Sequence, residues 1–316
     1  MLLFKIIQER KLKVLLDNII SIFSIYFFVL IGYVAKWVLK DELNEKSIVK
    51  LNVYFLLPIL AFWGLLTQEI NIDVLKVPIL YLLISLIALG MTTLFAKKLF
   101  SNPKDISIVS MASVTGVTGS IGIPLGIALF SKSSVIYTSL INTVSMLFVY
   151  TVGVYIYSRG AYGIKKSLLN VFKMPIVWAS FIAIIFNIFN LHVNKSFFKT
   201  LEMGAYGAIV MQLIIFGVFL KDAKIKEINI KLLSAVLSLK FILVPLIATI
   251  ILYIFHLEKL PLSSIMLEII VPLAITNISL ASIFDCKPKS VTSLVFISSI
   301  IFIPYSIVVV YLLDFL

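Results

Sequence analysis

Runs of about 20 apolar residues, separated by short polar segments, follow one another along almost the whole chain. An α-helix of about this length spans the hydrocarbon core of a bilayer. The pattern predicts ten membrane-spanning helices, at residues 17–38, 48–67, 77–96, 106–130, 134–157, 174–191, 203–220, 232–255, 262–283 and 291–313. Because the connections are short, we expect a single membrane domain over residues 1–316 and no soluble domain.

The fourth run is interrupted at membrane depth by Gly116, Gly119, Gly122, Pro124 and Gly126. Proline removes a helix donor and glycine weakens a helix, so this pattern predicts a break. Lipid cannot satisfy the backbone groups that a break frees, so the break must be buried in protein or line a wet cavity. Secondary transporters commonly build substrate sites in this way. The simpler alternative is a proline kink, with Gly122 and Gly126 as a helix-packing pair.

The ninth run carries a matching proline, Pro272, which lies 148 residues after Pro124, close to half the chain length. The mid-chain loop Ser158–Lys173 divides the predicted spans into five and five. Because five is odd, the second half enters the membrane upside down. The fold class predicted is an all-α integral membrane protein, with two inverted five-helix repeats at residues 1–157 and 158–316 and a site where they meet.

Composition agrees with a membrane protein, because 61% of the residues are hydrophobic and 13% are charged, against about 25% charged in soluble domains. The net charge of +12 comes from basic residues spread over short loops, a distribution that disfavours nucleic acid as a partner. Loops after odd-numbered spans, counted together with Lys36 and Lys50 at the adjoining span ends, hold 17 of the 27 basic residues. The positive-inside rule therefore places these loops in the cytoplasm and both termini outside, although four basic residues in the N-terminal tail oppose this assignment.

The sequence contains few residues suited to metal binding, nucleotide binding or catalysis. Cys286 is the only cysteine, and His192 and His256 fall in predicted loops, so no metal site is predicted. The chain has no phosphate-binding loop of the Gly-x-x-x-x-Gly-Lys-Ser/Thr type, and its spans contain no histidine or paired aspartates. We therefore expect neither an enzyme nor direct use of ATP, and we predict no cofactor.

Four segments carry a resemblance to a known family, in the right order and at the right spacing. They are LNVYFLLPILAFWGLL (51–66), GVTGSIGIPLGIALF (116–130), LKFILVPL (239–246) and VPLAITNISLASIFD (271–285). They resemble the second, fourth, eighth and ninth spans of the auxin efflux carrier family, ten-span secondary carriers that include bacterial malonate and malate permeases. The resemblance covers nearly the whole chain from residue 16. It implies crossed, broken fourth and ninth helices and transport of organic anions or related small solutes.

The predicted substrate site follows from the two breaks. The half-helix after each break presents unpaired N–H groups and about half a positive charge, which together attract a carboxylate. Val117 stands where the family motif has asparagine, which leaves Thr118 and Ser120 as the nearby polar groups. The same amides and hydroxyls also serve helix packing in lipid. The substrate-binding candidates are Thr118, Gly119, Ser120, Gly122, Pro124, Pro272, Thr276, Asn277, Asn52, Asn142 and Gln212.

Two charged residues fall well inside predicted spans, Lys240 in the eighth and Glu268 in the ninth. Such charges are costly in a bilayer and should face the protein interior, a partner or water. Lys240 either holds an anion or a structural partner, or extends its long side chain to the headgroups. Glu268 is a proton carrier, a partner of Lys240, or a surface residue if the ninth span begins later than predicted.

The function predicted is secondary active transport of a small organic anion, such as a carboxylate, across the cytoplasmic membrane by alternating access. Coupling to H⁺ or to Na⁺ stays open. The alternatives are a sodium-coupled bile-acid-type symporter of similar fold and a channel, although one intramembrane Lys–Glu set is weak support for a pore. The partners expected are the lipid bilayer and the substrate. Small residues are abundant enough to allow a homodimer.

Overall fold

The computed structural model describes residues 27–67, 72–130, 132–189, 191–223 and 229–313, so the basic N-terminal tail lies outside the described residues. Helices make up nearly all of the described chain. They are α1 (27–39), α2 (Glu45–Leu66), α3 (Ile72–Leu99), α4 (Pro103–Ala112), α5 (Ile123–Phe130), α6 (Lys132–Arg159), α7 (Ile164–Phe172), α8 (Pro175–Ile188), α9 (Lys195–Lys221), α10 (Ile230–Phe255), α11 (Lys259–Ile270), α12 (Thr276–Ile283) and α13 (Pro288–Leu313).

Six of the described helices are long and apolar enough to cross a membrane by themselves, and a seventh candidate is the pair α7 and α8, which is bent by 52°. The chain is therefore a multi-pass membrane protein. The fourth and ninth predicted spans are each divided into two short helices, α4 with α5 and α11 with α12. The first predicted span is described only from residue 27. The predicted mid-chain loop is in part helical, because it contains α7.

Asparagine side chains begin several of these helices. Asn44, Asn102, Asn194 and Asn229 are the N-caps of α2, α4, α9 and α10, and each side-chain oxygen accepts a hydrogen bond from a backbone N–H of the first turn. This contact satisfies one of the donors that a helix start leaves unpaired. Proline occupies the first position of α4 and α8, where its missing N–H costs nothing.

The helices pack as two bundles. In the first bundle, α2 packs against α8 and α9, and α1 lies against α9 at Gly32 and Gly217, where an added Cβ would collide with the backbone of the opposite helix. In the second bundle, α3 packs against α4, α6 and α10, and α11 packs against α5, α6 and α10, with α13 against α12. Contacts of α9 with α13 and of α2 with α12 join the two bundles.

Ion pairs show that the loops after the odd-numbered spans lie on the same face of the protein. Lys36, in the last turn of α1, forms ion pairs with Glu45 at 3.1 Å and with Asp222 at 3.7 Å. Lys289, at the start of α13, reaches Asp222 at 3.9 Å. The opposite face is marked by the Asn187 side chain, which donates to the Leu65 carbonyl at 3.1 Å and joins the ends of α8 and α2.

The loops that follow α3, α6 and α12 share the first of these faces. Lys287 pairs with Asp105 at 2.6 Å, and Lys104 with Asp285 at 3.4 Å, so the start of α4 is held to the loop between α12 and α13. Gly160, just after α6, lies against Cys286 in the same loop. These contacts therefore agree with the apolar runs, which predict that successive loops alternate between the two faces of the protein.

Four π-helical turns interrupt the regular helices of the described chain, at Asn52–Leu56, Thr118–Gly122, Val149–Gly153 and Leu239–Leu243. Each turn carries a buried polar side chain, namely Asn52, Thr118, Tyr150 and Lys240. Three of these, Asn52, Tyr150 and Lys240, have buried polar atoms without a hydrogen-bond partner among the described residues. Because π-helical turns occur often at functional sites, they mark candidate positions for the site.

Candidate functional site

The two interrupted spans meet through their non-helical segments. The Val117 N–H donates to the Pro272 carbonyl at 2.9 Å, and the Ala274 N–H donates to the Thr115 carbonyl at 3.2 Å. Gly116 and Leu273 form an isolated antiparallel bridge between them. The predicted breaks are thus present, and each one satisfies part of the backbone that the other leaves unpaired. We call this pair of segments, residues 113–117 and 271–275, the crossing.

Gly116 permits this close approach. A Cβ at position 116 would collide with the side chain of Val271 and would lie 3.3 Å from the Val271 carbonyl oxygen. The same Cβ position is 3.2 Å from the Lys240 Nζ. The backbone of the crossing and the lysine ammonium therefore lie side by side because residue 116 has no side chain.

Lys240 lies in the π-helical turn Leu239–Leu243 of α10 and is completely buried. Its Nζ has no hydrogen-bond partner among the described residues. The side chain therefore does not extend to the headgroups, and the interior alternative is the one that the structure supports. A buried ammonium without a partner is energetically costly.

Glu268 lies in α11 and is also completely buried, so the surface alternative for this residue is wrong. Neither carboxylate oxygen has a hydrogen-bond partner among the described residues. The carboxylate lies against Gly122, where an added Cβ would overlap it. The charges of Glu268 and Lys240 attract each other, but no ion pair within 4.0 Å joins them in the described chain.

A hydrogen-bonded pair of polar groups from α3 and α6 interacts with Glu268 through Tyr81. Tyr81, which is buried, donates through its hydroxyl to the Ser145 Oγ at 3.3 Å. The Tyr81 hydroxyl also interacts electrostatically with Glu268. The sequence patterns did not single out Tyr81 or Ser145, because each is one of many polar groups within apolar runs and their proximity to Glu268 depends on helix packing.

Asn277, at the start of α12, ties the two interrupted spans together. Its Nδ2 donates to the Thr115 Oγ1 and to the Ala274 carbonyl, both at 2.9 Å. Its Oδ1 accepts from the Tyr157 hydroxyl at 3.1 Å. The amide predicted as a substrate ligand is thus occupied by protein partners. The neighbouring Thr276 hydroxyl is buried and has no partner among the described residues.

Asn142 lies in α6, and its side-chain amide contacts the fourth span. The Thr118 hydroxyl donates to the Asn142 Oδ1 at 2.7 Å. Gly119 makes room for this amide, because an added Cβ would lie 2.9 Å from the same oxygen. The family motif has asparagine where this chain has Val117. Here α6 supplies an asparagine side chain, Asn142, to the adjacent residue Thr118.

A small cavity lies between the two bundles at the crossing. Its lining comes from α1, α9 and α13 and from both interrupted spans, and includes Val29, Val117, Ser120, Phe216, Ile275 and Ser299. The open volume is about 10 Å³, which is room for about one water molecule. Ser120 therefore lies at the junction of the two bundles.

The remaining candidates divide into two groups. Pro272 belongs to the crossing through its carbonyl, and Pro124 lies in the first turn of α5, just after the π-helical turn. Asn52 and Gln212 lie on α2 and α9 in the first bundle. No hydrogen bond between described residues joins either of these two to the crossing.

Comparison with models of protein families gives a match. A family model described as "Membrane transport protein" covers residues 17–310 of the chain. A search of curated proteins finds no match.

Proposed function

Because the chain belongs to the auxin efflux carrier family of membrane transport proteins, we propose that it is a secondary active transporter of a small organic anion. A carboxylate is the substrate that the site favours. The observation that carries this proposal is the crossing of two interrupted spans beside the buried, unpartnered ammonium of Lys240.

The electrostatics of the crossing favour an anion. The helices α5 and α12 both begin just after it, and a helix start carries about half a positive charge and unpaired N–H groups. Lys240 adds a full positive charge next to Gly116. In the low dielectric of the bundle these charges act on a carboxylate far more strongly than they would in water. The Thr118–Asn142 pair, Ser120 and Thr276 supply polar groups for orientation.

We propose alternating access as the mechanism. Ten spans would form two inverted repeats, residues 1–157 and 158–316, with broken fourth and ninth helices. The grouping of the odd-numbered loops on one face supports this topology. The bundle of α1, α2, α8 and α9 would move against the bundle that holds the crossing, and the cavity between them would open to one side at a time. No observation favours the bile-acid-type symporter or the channel.

The proposal is tested by uptake into liposomes that contain the purified protein. We would assay exchange of radiolabelled malonate, malate, succinate, glutamate and indole-3-acetate, each with and without sodium. Exchange of at least one carboxylate is expected. In Lys240→Met the apparent affinity should fall at least about 10-fold, because loss of a buried charge contact typically costs about 2–5 kcal/mol. Lys173→Met, which removes an exposed loop lysine, is the matched control and should behave like the wild type.

Melting temperatures of both variants would show that they fold. Lack of exchange for every carboxylate by the folded wild-type protein would overturn the proposal. Unchanged affinity in Lys240→Met would remove Lys240 from the site and leave the crossing without its cation.

A further inference from the structure

Two buried charges of opposite sign lie within the second bundle, and each lies against a glycine of the fourth span. The ammonium of Lys240 is next to Gly116, and the carboxylate of Glu268 is against Gly122. Both side chains have 0% exposure, and neither has a hydrogen-bond partner among the described residues. A pair this expensive to bury, with no stabilising contact of its own, points to a function in transport.

Charge balance links the two residues. In the empty carrier, Lys240 and Glu268 together contribute no net charge, and their mutual attraction offsets part of the cost of burial. A monocarboxylate that binds Lys240 adds one negative charge, and a dicarboxylate such as malonate adds up to two, to a dry site that already holds Glu268. Because an uncompensated charge in a low dielectric is strongly unfavourable, the loaded site is stable only if a cation enters with the carboxylate.

We propose that Glu268 is the proton-binding residue of the carrier, and that one proton on a Glu268 carboxylate oxygen accompanies each substrate molecule bound at Lys240. This inference rests on the proposed function and names its coupling ion. The proton comes from water on the side where the substrate enters, and an O–H bond forms at Oε1 or Oε2. After the carrier opens to the other side, the substrate leaves and the proton returns to water there.

The surroundings of Glu268 fit a proton better than a metal ion. Sodium would need several oxygen ligands, whereas the described residues that act on this carboxylate are Lys240 from α10 and Tyr81 from α3. The α5 segment contributes Gly122, which has no side chain, and α6 contributes Ser145, which accepts from Tyr81. A cation next to the Lys240 ammonium would also be repelled, whereas a proton becomes part of the carboxyl group.

The experiment separates substrate exchange from proton movement. Liposomes containing the protein would be loaded with malonate, or with another carboxylate from the panel that the wild type exchanges, and with a pH-sensitive dye. Exchange of internal for external malonate needs no net proton release, whereas net uptake driven by an inward proton gradient does. Reversal potentials would give the charge moved per substrate. Glu268→Gln is the test variant, because glutamine resembles the protonated acid.

The wild type should take up malonate in response to a proton gradient and should move one proton with each molecule. Glu268→Gln should keep exchange, lose gradient-driven uptake and carry one more negative charge per substrate. Glu268→Asp, which keeps an ionisable group, should remain coupled. Glu258→Gln, which changes an exposed carboxylate just before α11, should match the wild type in both assays.

Each contrary result has a distinct meaning. Exchange by the wild type without proton-driven uptake would overturn this inference and leave the proposed function intact. Proton coupling that persists in Glu268→Gln would overturn it as well, and so would loss of exchange in a Glu268→Gln protein that melts like the wild type. Absence of exchange in the wild type would instead count against the proposed function itself.

Discussion

Gly116 and Gly122 lie at the two places where a larger side chain would displace a buried charged group. An added Cβ at Gly116 meets Val271 and approaches the Lys240 Nζ, and one at Gly122 overlaps the Glu268 carboxylate. In an ordinary helix, replacing glycine by alanine adds about 1 kcal/mol of stability. At these two positions the steric cost opposes that gain, and the charge would have to move away from the break.

We expect Gly122→Ala to reduce proton-driven uptake at least about 10-fold, because an added Cβ would displace the Glu268 carboxylate from its position. Gly90→Ala is the matched control: Gly90 also lies in a membrane helix, and its added Cβ would meet nothing within 4 Å. Rates of proton-driven uptake into liposomes, normalised to inserted protein, provide the measurement. Equal rates for the two variants would show that the carboxylate position is unimportant.

At the scale of the helical elements, the two interrupted spans form one unit because Asn277 joins them. Its amide contacts Thr115 of the first break and Tyr157 of α6 in addition to the backbone of its own segment. Two salt bridges, Lys287–Asp105 and Lys104–Asp285, hold the same pair of spans together at one face. The crossing is thus fixed at its centre and at one end, as a rigid substrate site requires.

Substitutions at two neighbouring residues can separate the role of holding the crossing together from the role of binding the substrate. Asn277→Ala should destabilise the protein by about 1–3 kcal/mol, because the buried Tyr157 hydroxyl loses its acceptor. Thr276→Val should leave stability within about 0.5 kcal/mol, because the Thr276 hydroxyl has no partner to lose, and it should weaken substrate binding. Melting temperatures in detergent, with and without substrate, would distinguish the two effects. Equal melting temperatures for the two variants would contradict this division of roles.

Local sequence was sufficient to predict the breaks but not the residues that gather around them. Glycine and proline act within one helical turn, so the interruptions near Gly116 and Pro272 could be read directly. The contact of Tyr157 with Asn277 spans 120 positions, and that of Thr115 with Asn277 spans 162. No periodicity within a single run carries that information. Lys240 and Glu268 could be recognised because a charge in an apolar run is conspicuous by itself.

For the whole molecule, the arrangement of the bundles has a consequence for transport. The cavity at the crossing is bounded by α1 and α9 on one side and by the interrupted spans on the other. Where α1 meets α9, Gly32 and Gly217 bring the two backbones into close contact. Movement between the bundles would therefore change access to the crossing without disturbing its internal hydrogen bonds, which is how a carrier exposes one site to two sides.

Orientation in the membrane is the remaining property of the whole molecule, and it can be measured with introduced cysteines. The loops after odd-numbered spans share one face and, with the adjoining span ends, hold 17 of the 27 basic residues, so we expect that face to be cytoplasmic. Tyr162, after α6, is exposed on that face, and His192, after α8, is exposed on the other. In intact cells, a membrane-impermeant maleimide should label His192→Cys but not Tyr162→Cys, and permeabilised cells should label both.

The native cysteine does not interfere with this measurement. Cys286 is completely buried, and its thiol donates to the Tyr157 carbonyl. Burial raises the pKa of the Cys286 thiol to about 11, so almost none of it is the reactive thiolate at pH 7. The unmodified protein is therefore an internal control that should stay unlabelled until it is denatured. Labelling of Tyr162→Cys in intact cells, with His192→Cys protected, would reverse the orientation and place the basic face outside.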